Sequence, residues 1–554
     1  MPREPGPADL AFVGGSVVTM DAARRTATAV AVRDGRVVAV GMDRDVAELV
    51  GPRTRRIPLA GRTLMPAFQD AHVHPSMAGV GLIQCPLHDV ARTVDAYLGV
   101  IRAYADGHPD AAWIVGDGWY MEAFPDGTPS KTDLDRAVPD RPAFFVNRDG
   151  HGAWVNSRAL EVAGITRGTP DPAHGRIERD AHGEPAGTLH EGAMEAFRRL
   201  VPPPTEEDRV RGLELAQAYL HRLGVSAWQD AWVTPIDLEA YRRLAERGRL
   251  TARAIACLWW DRERGSEQID ELVDQRAIGS IGRLRATTVK IMQDGVAENY
   301  TAAMLEPYLG HDGRRTDNRG LSFVEPEALK RHVTRLDRLG FQVHFHALGD
   351  RAVREALDAV EAARIVNGPS DGRHHLAHLQ VVDPSDVARF RPLGAVANIQ
   401  PLWACHDPQM VDLTLPFLAP ERARLQYPFG SLHRAGALLA GGSDWTVSTP
   451  NVLAEVDVAV TRESVEDVRA EPFLPGEALA PIDAFAAFTI GSAYVNHLDD
   501  ISGSIEVGKL ADLVVLDRDI LDRGAGRIRD GRVLLTLVEG EPVHEDAALE
   551  VGRG

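Results

Sequence analysis

The sequence predicts an α/β protein, a TIM-type (β/α)8 barrel with a small β-sandwich domain formed from both termini and a mainly β insertion after strand one. Three observations predict it. Eight short apolar segments with polar C-terminal ends recur through the interior, amphipathic stretches such as residues 351–366 (RAVREALDAVEAARIV) separate them, and both chain ends are rich in β-branched residues. With 554 residues, the chain has room for about three or four units at roughly 150 residues each.

At the N-terminal end, residues 10–20 (LAFVGGSVVTM) and 28–40 (TAVAVRDGRVVAV) are β-branched runs, the second folded about Arg33-Asp34-Gly35, a D-G hairpin signal. Residues 512–516 (DLVVL) and 532–538 (RVLLTLV) repeat the pattern, with an R-D-G turn at Arg529-Asp530-Gly531. The eight barrel strands are expected at 63–74 (TLMPAFQDAHVH), 225–230 (VSAWQD), 252–260 (ARAIACLWW), 288–294 (TVKIMQD), 342–346 (QVHFH), 374–381 (HHLAHLQV), 395–400 (AVANIQ) and 437–444 (ALLAGGSD). Residues 75–224, between the first two strands, are too many for one crossover helix. Short β runs at 112–118 and 142–147, and a turn at Asp180-Ala181-His182-Gly183, predict an inserted, lid-like β subdomain over the barrel mouth. The expected division is therefore 1–62 for the N-terminal part of the β-domain, 63–109 for the start of the barrel, 110–187 for the insertion, 188–500 for the rest of the barrel and 501–554 for the C-terminal part of the β-domain.

Composition narrows the function. Lys and Arg number 61 against 80 Asp and Glu, a net charge of −19, which argues against a binder of nucleic acid. Apolar residues at 44% and charged residues at 25% describe an ordinary folded protein. No apolar run approaches the ~18 residues of a membrane span, and the opening MPREPGPADL lacks the features of a signal peptide. Cys85, Cys257 and Cys405 are far apart and odd in number, so they read as buried small residues in a reducing cytoplasm. The expectation is a cytoplasmic enzyme that takes a small-molecule substrate, with no nucleic-acid or membrane partner and a homodimer as the candidate assembly.

Catalytic residues of such a barrel belong at the C-terminal ends of its strands. Strand one ends in Asp70-Ala71-His72-Val73-His74, and side-chain alternation points both imidazoles of an H-x-H to the same side, where they can chelate a divalent metal. Lys290 lies on strand four, His344 and His346 end strand five, His374, His375 and His378 lie on strand six, and Asp444 ends strand eight. Each has an ordinary reading alone: Asp444 as a helix cap, Lys290 as a buried partner of Asp294, HHLAH as solvent-facing. Jointly, His, Lys, His, His and Asp at the same end of five strands point to a metal site. Gly368-Pro369-Ser370-Asp371-Gly372 fits the G-x-S-x-G string of serine hydrolases, but a helix precedes it and a strand follows, the reverse of a nucleophile elbow. His190-Glu191 lacks the second histidine of H-E-x-x-H.

These motifs, with MPAFQDAHVHP at 65–75, DGHGAWVNSRAL at 149–160, VHFHALGDRAV at 343–353, GGSDW at 441–445 and GSIEVGKLADLVVLD at 503–517, give the chain a sequence that resembles the amidohydrolase superfamily, in its amidohydrolase-3, YtcJ-like branch, which includes N-substituted formamide deformylases. Two departures stand out: AFQDAHVH where relatives more often have a glycine and an aliphatic residue before the aspartate, and Ala377 where they commonly carry glutamate. The resemblance implies His72, His74 and Asp444 on one metal, His346 and His378 on a second, and Lys290 bridging them as a carbamate. It implies zinc, one or two ions per subunit. With Lys290 unmodified, a single ion on His72, His74 and Asp444, with or without one further histidine, is the alternative.

The function expected from this resemblance is hydrolysis of carbon–nitrogen bonds other than peptide bonds, in N-substituted formamides, N-acyl compounds or cyclic amides. Metal-activated hydroxide would attack and Asp444 would serve as general base and acid. An esterase or decarboxylase on the same site, or a non-catalytic regulatory protein that kept the fold, are the alternatives. Trp119, His151, Gln400, Trp403 and Trp445 are candidate substrate contacts, and Glu191, Asp230 and Asn299 weaker ones.

Overall fold

A computed structural model describes residues 6–549 apart from 89, 149, 151, 173–174, 468–470, 523 and 525, and gives only the backbone at 126 and 198. The chain forms two compact units. Met1–His74, Gln217–Asp444 and Pro450–Gly554 make the first, and Pro75–Ala216 with Trp445–Thr449 the second.

The first unit holds the barrel. Its strands are β1 (Phe68–Val73), β2 (Val225–Val233), β3 (Arg253–Trp259), β4 (Leu284–Met292), β5 (Gln342–Ala347), β6 (His375–His378), β7 (Val396–Ile399) and β8 (Leu438–Gly441), in one sheet where each strand pairs with its neighbours in chain order. All the pairings are parallel, as crossover helices require. Helix α1 (Glu206–Arg222) leads into β2, α2 (Pro326–Arg338) links β4 to β5, and α3 (Asp350–Asn367) links β5 to β6. The G-x-S-x-G string follows α3 as its terminating loop, with Gly368 at a φ of +84°.

Hydrogen bonds rather than a strand ladder join β8 to β1. The Asp444 N–H donates to the His72 carbonyl at 2.7 Å, and the Ser443 N–H and hydroxyl donate to the Asp70 carboxylate at 3.1 and 2.6 Å. Gly442 permits the approach, because a Cβ there would lie 2.6 Å from the His72 Cβ and 2.8 Å from its nitrogen.

Several strands end differently from expectation. The 63–74 run is two strands: Thr63–Pro66 pairs with Leu513–Leu516 in the β-domain, and only Phe68–Val73 joins the barrel. Both halves are fully buried, so no exposed stretch divides them. Strand six stops at His378, because His378 and Leu379 take left-handed φ values of +80° and +50°.

The β-domain is a sandwich of a four-stranded sheet and a six-stranded sheet. Phe12, Val30 and Ile57 from the first and Leu64, Val515 and Leu535 from the second share one core. Ala29–Arg33 and Arg36–Gly41 form the expected hairpin, with Asp34 and Gly35 both at positive φ. The second R-D-G differs: Leu513–Leu516 and Val533–Val538 do pair, but Ile528–Asp530 is a 3-10 turn within a longer connection. Arg253, buried at the start of β3, binds Asp512 and Glu539 of this domain.

The second unit carries helices as well as strands. Its six-stranded mixed sheet runs from Cys85–Pro86 to Pro185–Glu191, beyond 110–187 at both ends, with helices Val94–Gly107 and Lys131–Ala137 between its strands in sequence. The turn at Asp180 closes as expected, with the Gly183 N–H donating to the Asp180 carbonyl. All three cysteines are buried and free. Among the described residues, no helix is long and apolar enough to cross a membrane.

Buried histidines make the fold sensitive to acid. His221, near the end of α1, places Nδ1 2.9 Å from the Val225 carbonyl and Nε2 2.8 Å from the Thr251 hydroxyl. A carbonyl only accepts, so Nδ1 holds the proton and Nε2 accepts from Thr251. Burial lowers the His221 pKa from 6.5 to about 4. The unfolded chain therefore binds a proton that the folded chain refuses, and stability falls as pH drops from about 6.5 to 4. Denaturant titrations at pH 7 and pH 5 are expected to show a loss, on the order of 1–2 kcal/mol from this residue, and a shallower pH dependence in His221→Gln. An unchanged dependence in that variant would remove His221 as a source.

Candidate metal centre

The C-terminal ends of the barrel strands bring three predicted ligands together. His72 and His74 point to the same side of β1, and their Nε2 atoms lie 3.2 and 3.0 Å from Asp444 Oδ1. One donor atom from each residue falls within 4.8 Å of the others, and all three are buried. Asp444 reaches this point because the chain turns out of β8 with φ +54° at this residue, a conformation non-glycine residues seldom adopt. Burial works to raise the Asp444 carboxyl, but the His74 hydrogen bond and the electrostatic influence of His378, His74 and Lys290 outweigh it and hold the group below its ordinary range. Burial, then the Lys290 charge, pushes His72 well below the usual histidine value.

Lys290, His346 and His378 lie around this group. The His378 ring is centred 4.7 Å from that of His72 and 4.5 Å from that of His346, and its Nδ1 is 3.9 Å from Asp444 Oδ2. Lys290, 2% exposed, has no hydrogen-bond partner at Nζ. Burial lowers its pKa to about 8 although Asp444 acts in the opposite sense. Asp294 is not its partner: that carboxylate accepts from His346 Nδ1 at 3.2 Å and from the N–H groups of Ala303, Leu348 and Gly349. Asp294 thus fixes His346 with Nδ1 protonated and the ring oriented by that bond.

The donor set fits a divalent metal. Lys290 Nζ, both ring nitrogens of His378 and Nδ1 of His74 are buried without hydrogen-bond partners, an arrangement that costs free energy unless another group satisfies it. Imidazole and carboxylate donors in this number suit zinc, and manganese, iron or cobalt fit the same donor types.

The candidate substrate contacts separate. Gln400 is turned inward: its Oε1 accepts the His378 N–H at 2.7 Å and its Nε2 donates to Asn398 Oδ1 at 2.8 Å, so it fixes the His378 backbone. The Trp403 indole stacks on His378, with centroids 5.4 Å apart and planes 13° from parallel. Trp119 lies in the core of the second unit, where its indole N–H donates to the Phe145 carbonyl at 2.9 Å and its ring packs on Phe124. Trp445 is buried. His151 lies outside the described residues. Asp230 accepts the Tyr241 hydroxyl at 2.8 Å.

His344, placed at the end of strand five by the sequence but given no ligand role there, belongs to the site. His344 contacts His72 directly, Nε2 to Nδ1 at 2.8 Å, and its spacing of two from His346 was the available signal. His374 is not part of the site, since its ring accepts the Val343 N–H and pairs with Asp337. Trp259 pairs with Lys290 in register and stacks on Trp232, 38% exposed, with centroids 4.1 Å apart.

Known proteins share this organisation. Residues 56–544 match the model of the amidohydrolase family. The chain is 29% identical to the putative amidohydrolase YtcJ of Bacillus subtilis over 96% of this chain and 98% of that protein. It is 28% identical to the N-substituted formamide deformylase of Arthrobacter pascens over 96% of this chain and 97% of that protein. Among solved structures, an uncharacterized metal-dependent hydrolase from Pyrococcus furiosus superposes with a TM-score of 0.72 at 26% identity, covering 93% of this chain and 100% of that one. The family match takes in every barrel strand and every residue of the candidate centre, and the chain belongs to the amidohydrolase family of metal-dependent hydrolases.

Proposed function

We propose that this chain hydrolyses the carbon–nitrogen bond of small amides, with N-substituted formamides, N-acyl compounds and cyclic amides as the substrate class. The observation that carries this reading is the meeting of His72, His74 and Asp444 donor atoms within 4.8 Å at the C-terminal ends of β1 and β8. The similarity to a protein named as an N-substituted formamide deformylase, along almost the whole of both chains, supports the formamide end of the class.

His72 and His74, with Asp444, would hold one ion, and His346 and His378 a second, with zinc the metal of first choice. A divalent ion bound there supplies Lewis-acid activation of water and of the amide carbonyl. The protein's own contribution is proton handling and position. Asp444, whose carboxyl the His74 hydrogen bond helps hold below its ordinary range, accepts the proton of the attacking water and delivers it to the amide nitrogen as the C–N bond breaks. Asp294 and Gln400 hold His346 and His378 in place.

Lys290 enters this reading as a carbamate. Burial lowers the Lys290 pKa and so eases loss of a first proton; the neutral amine then attacks carbon dioxide, an Nζ–C bond forms as one C–O π bond breaks, a second proton leaves the nitrogen to solvent, and the side chain ends as an anion among histidines.

Asp444→Asn is expected to lower kcat on an N-substituted formamide by ~10²–10⁴-fold, the range for removal of a general base, in protein assayed with its metal content measured. Full turnover in a metal-replete Asp444→Asn protein would contradict the assignment. Protein grown with ¹³C-bicarbonate is expected to show a carbamate carbon resonance that vanishes in Lys290→Ala, together with activity. An active Lys290→Ala protein would exclude the carbamate.

A further inference from the structure

We infer that His344 is a positioning residue for His72, and that its tautomer is dictated by a relay of two buried glutamines that starts from backbone carbonyls. The inference rests on the metal-site reading above and names how the His72 end of that site is prepared.

The relay starts at groups that can only accept. The Val495 and Arg373 carbonyls each lie 2.9 Å from Gln342 Nε2, which fixes that amide with its NH₂ toward them. Gln342 Oε1 therefore faces the other way, where it accepts from the Thr288 hydroxyl at 2.8 Å and from Gln229 Nε2 at 2.9 Å. Gln229 Nε2 also reaches the Val495 carbonyl at 3.3 Å, a second reason for its orientation. Gln229 Oε1 is left pointing at His344 Nδ1, 3.2 Å away, with the Cys257 thiol at 3.2 Å donating to the same oxygen.

An amide oxygen cannot donate, so His344 Nδ1 holds the proton and His344 Nε2 has only a lone pair. That lone pair lies 2.8 Å from His72 Nδ1, which must then be protonated. His72 Nε2 is therefore bare, and it stands 3.2 Å from Asp444 Oδ1, an oxygen that also has no proton to offer when ionised. Two acceptors at that distance repel unless a cation lies within reach of both. The glutamine relay thus removes the hydrogen bond that His72 and Asp444 could otherwise make with each other and leaves both lone pairs for a metal. All the side chains in the relay are buried, so water does not compete for these positions.

The test is zinc affinity, measured by chelator competition on the full-length chain, in wild type, Gln229→Met, His344→Leu and His344→Gln. Loss of an outer-shell partner costs ~10–100-fold in metal affinity, and that loss is expected in Gln229→Met, which removes the acceptor that orients His344 together with the other Gln229 hydrogen bonds while leaving His344 and His72 in place, and in His344→Leu. His344→Gln offers His72 a new acceptor and is expected to recover most of the affinity. A purely structural role would not distinguish the Gln and Leu variants. Wild-type affinity in Gln229→Met, or equal losses in His344→Leu and His344→Gln, would overturn the relay. If His344→Leu fails to fold, Gln229→Met decides alone. Absence of zinc binding by the wild type would instead overturn the metal-site reading itself, and the relay with it.

Discussion

The candidate site depends on the way the barrel closes. β8 does not pair with β1 as a ladder; it is joined through the Asp444 N–H on the His72 carbonyl and through Ser443 on Asp70. The same two residues that close the barrel, His72 and Asp444, present side-chain donors to one another across that seam. Gly442 makes the approach sterically possible, since any Cβ there would collide with His72. Closure of the fold and assembly of the site are thus one event, and a change in the seam acts on both.

Above the β-domain contacts, the barrel interior is unusually polar for a buried volume. Gln229, Thr288 and Gln342 occupy one level, with His344 and Cys257 next to them, and Lys290, His72, His346 and His378 toward the strand ends. Desolvation of so many groups lowers the pKa of every histidine in this set for which a shift is resolved and also that of Lys290. Neutral imidazoles are what metal ligation needs, and a neutral amine is what carbamate formation needs. Gln229, Thr288 and Gln342 are satisfied by hydrogen bonds within the protein, whereas Lys290 and His378 toward the strand ends, and His375 beside His344, retain buried nitrogens without partners.

Much of this was legible in the sequence, for identifiable reasons. Strand periodicity alone puts His72 and His74 on one side, and the rule that barrel chemistry sits at strand C-termini draws in Lys290, His346, His378 and Asp444. The division of 63–74 was not legible, because Thr63–Pro66 and Phe68–Val73 are buried without a break and no turn residue separates them. Nor was the early end of β6, since the left-handed backbone at His378 and Leu379 is held by long-range contacts such as Gln400. Trp119 shows the limit of reading aromatics as contacts, for its ring and its N–H are both used in the core of the second unit. The relay draws on residues 229, 342, 344, 373 and 495. Only the fold brings them together, and of these residues His344 alone carries a local signal, its spacing of two from His346.

The central claim is that His72, His74 and Asp444 share an ion. Anomalous diffraction at the zinc absorption edge, from crystals of the full chain grown with zinc, tests it most directly. The account predicts a peak within coordination distance of His72 Nε2, His74 Nε2 and an Asp444 carboxylate oxygen. A zinc peak only at other residues, or an empty site at saturating zinc, would contradict it.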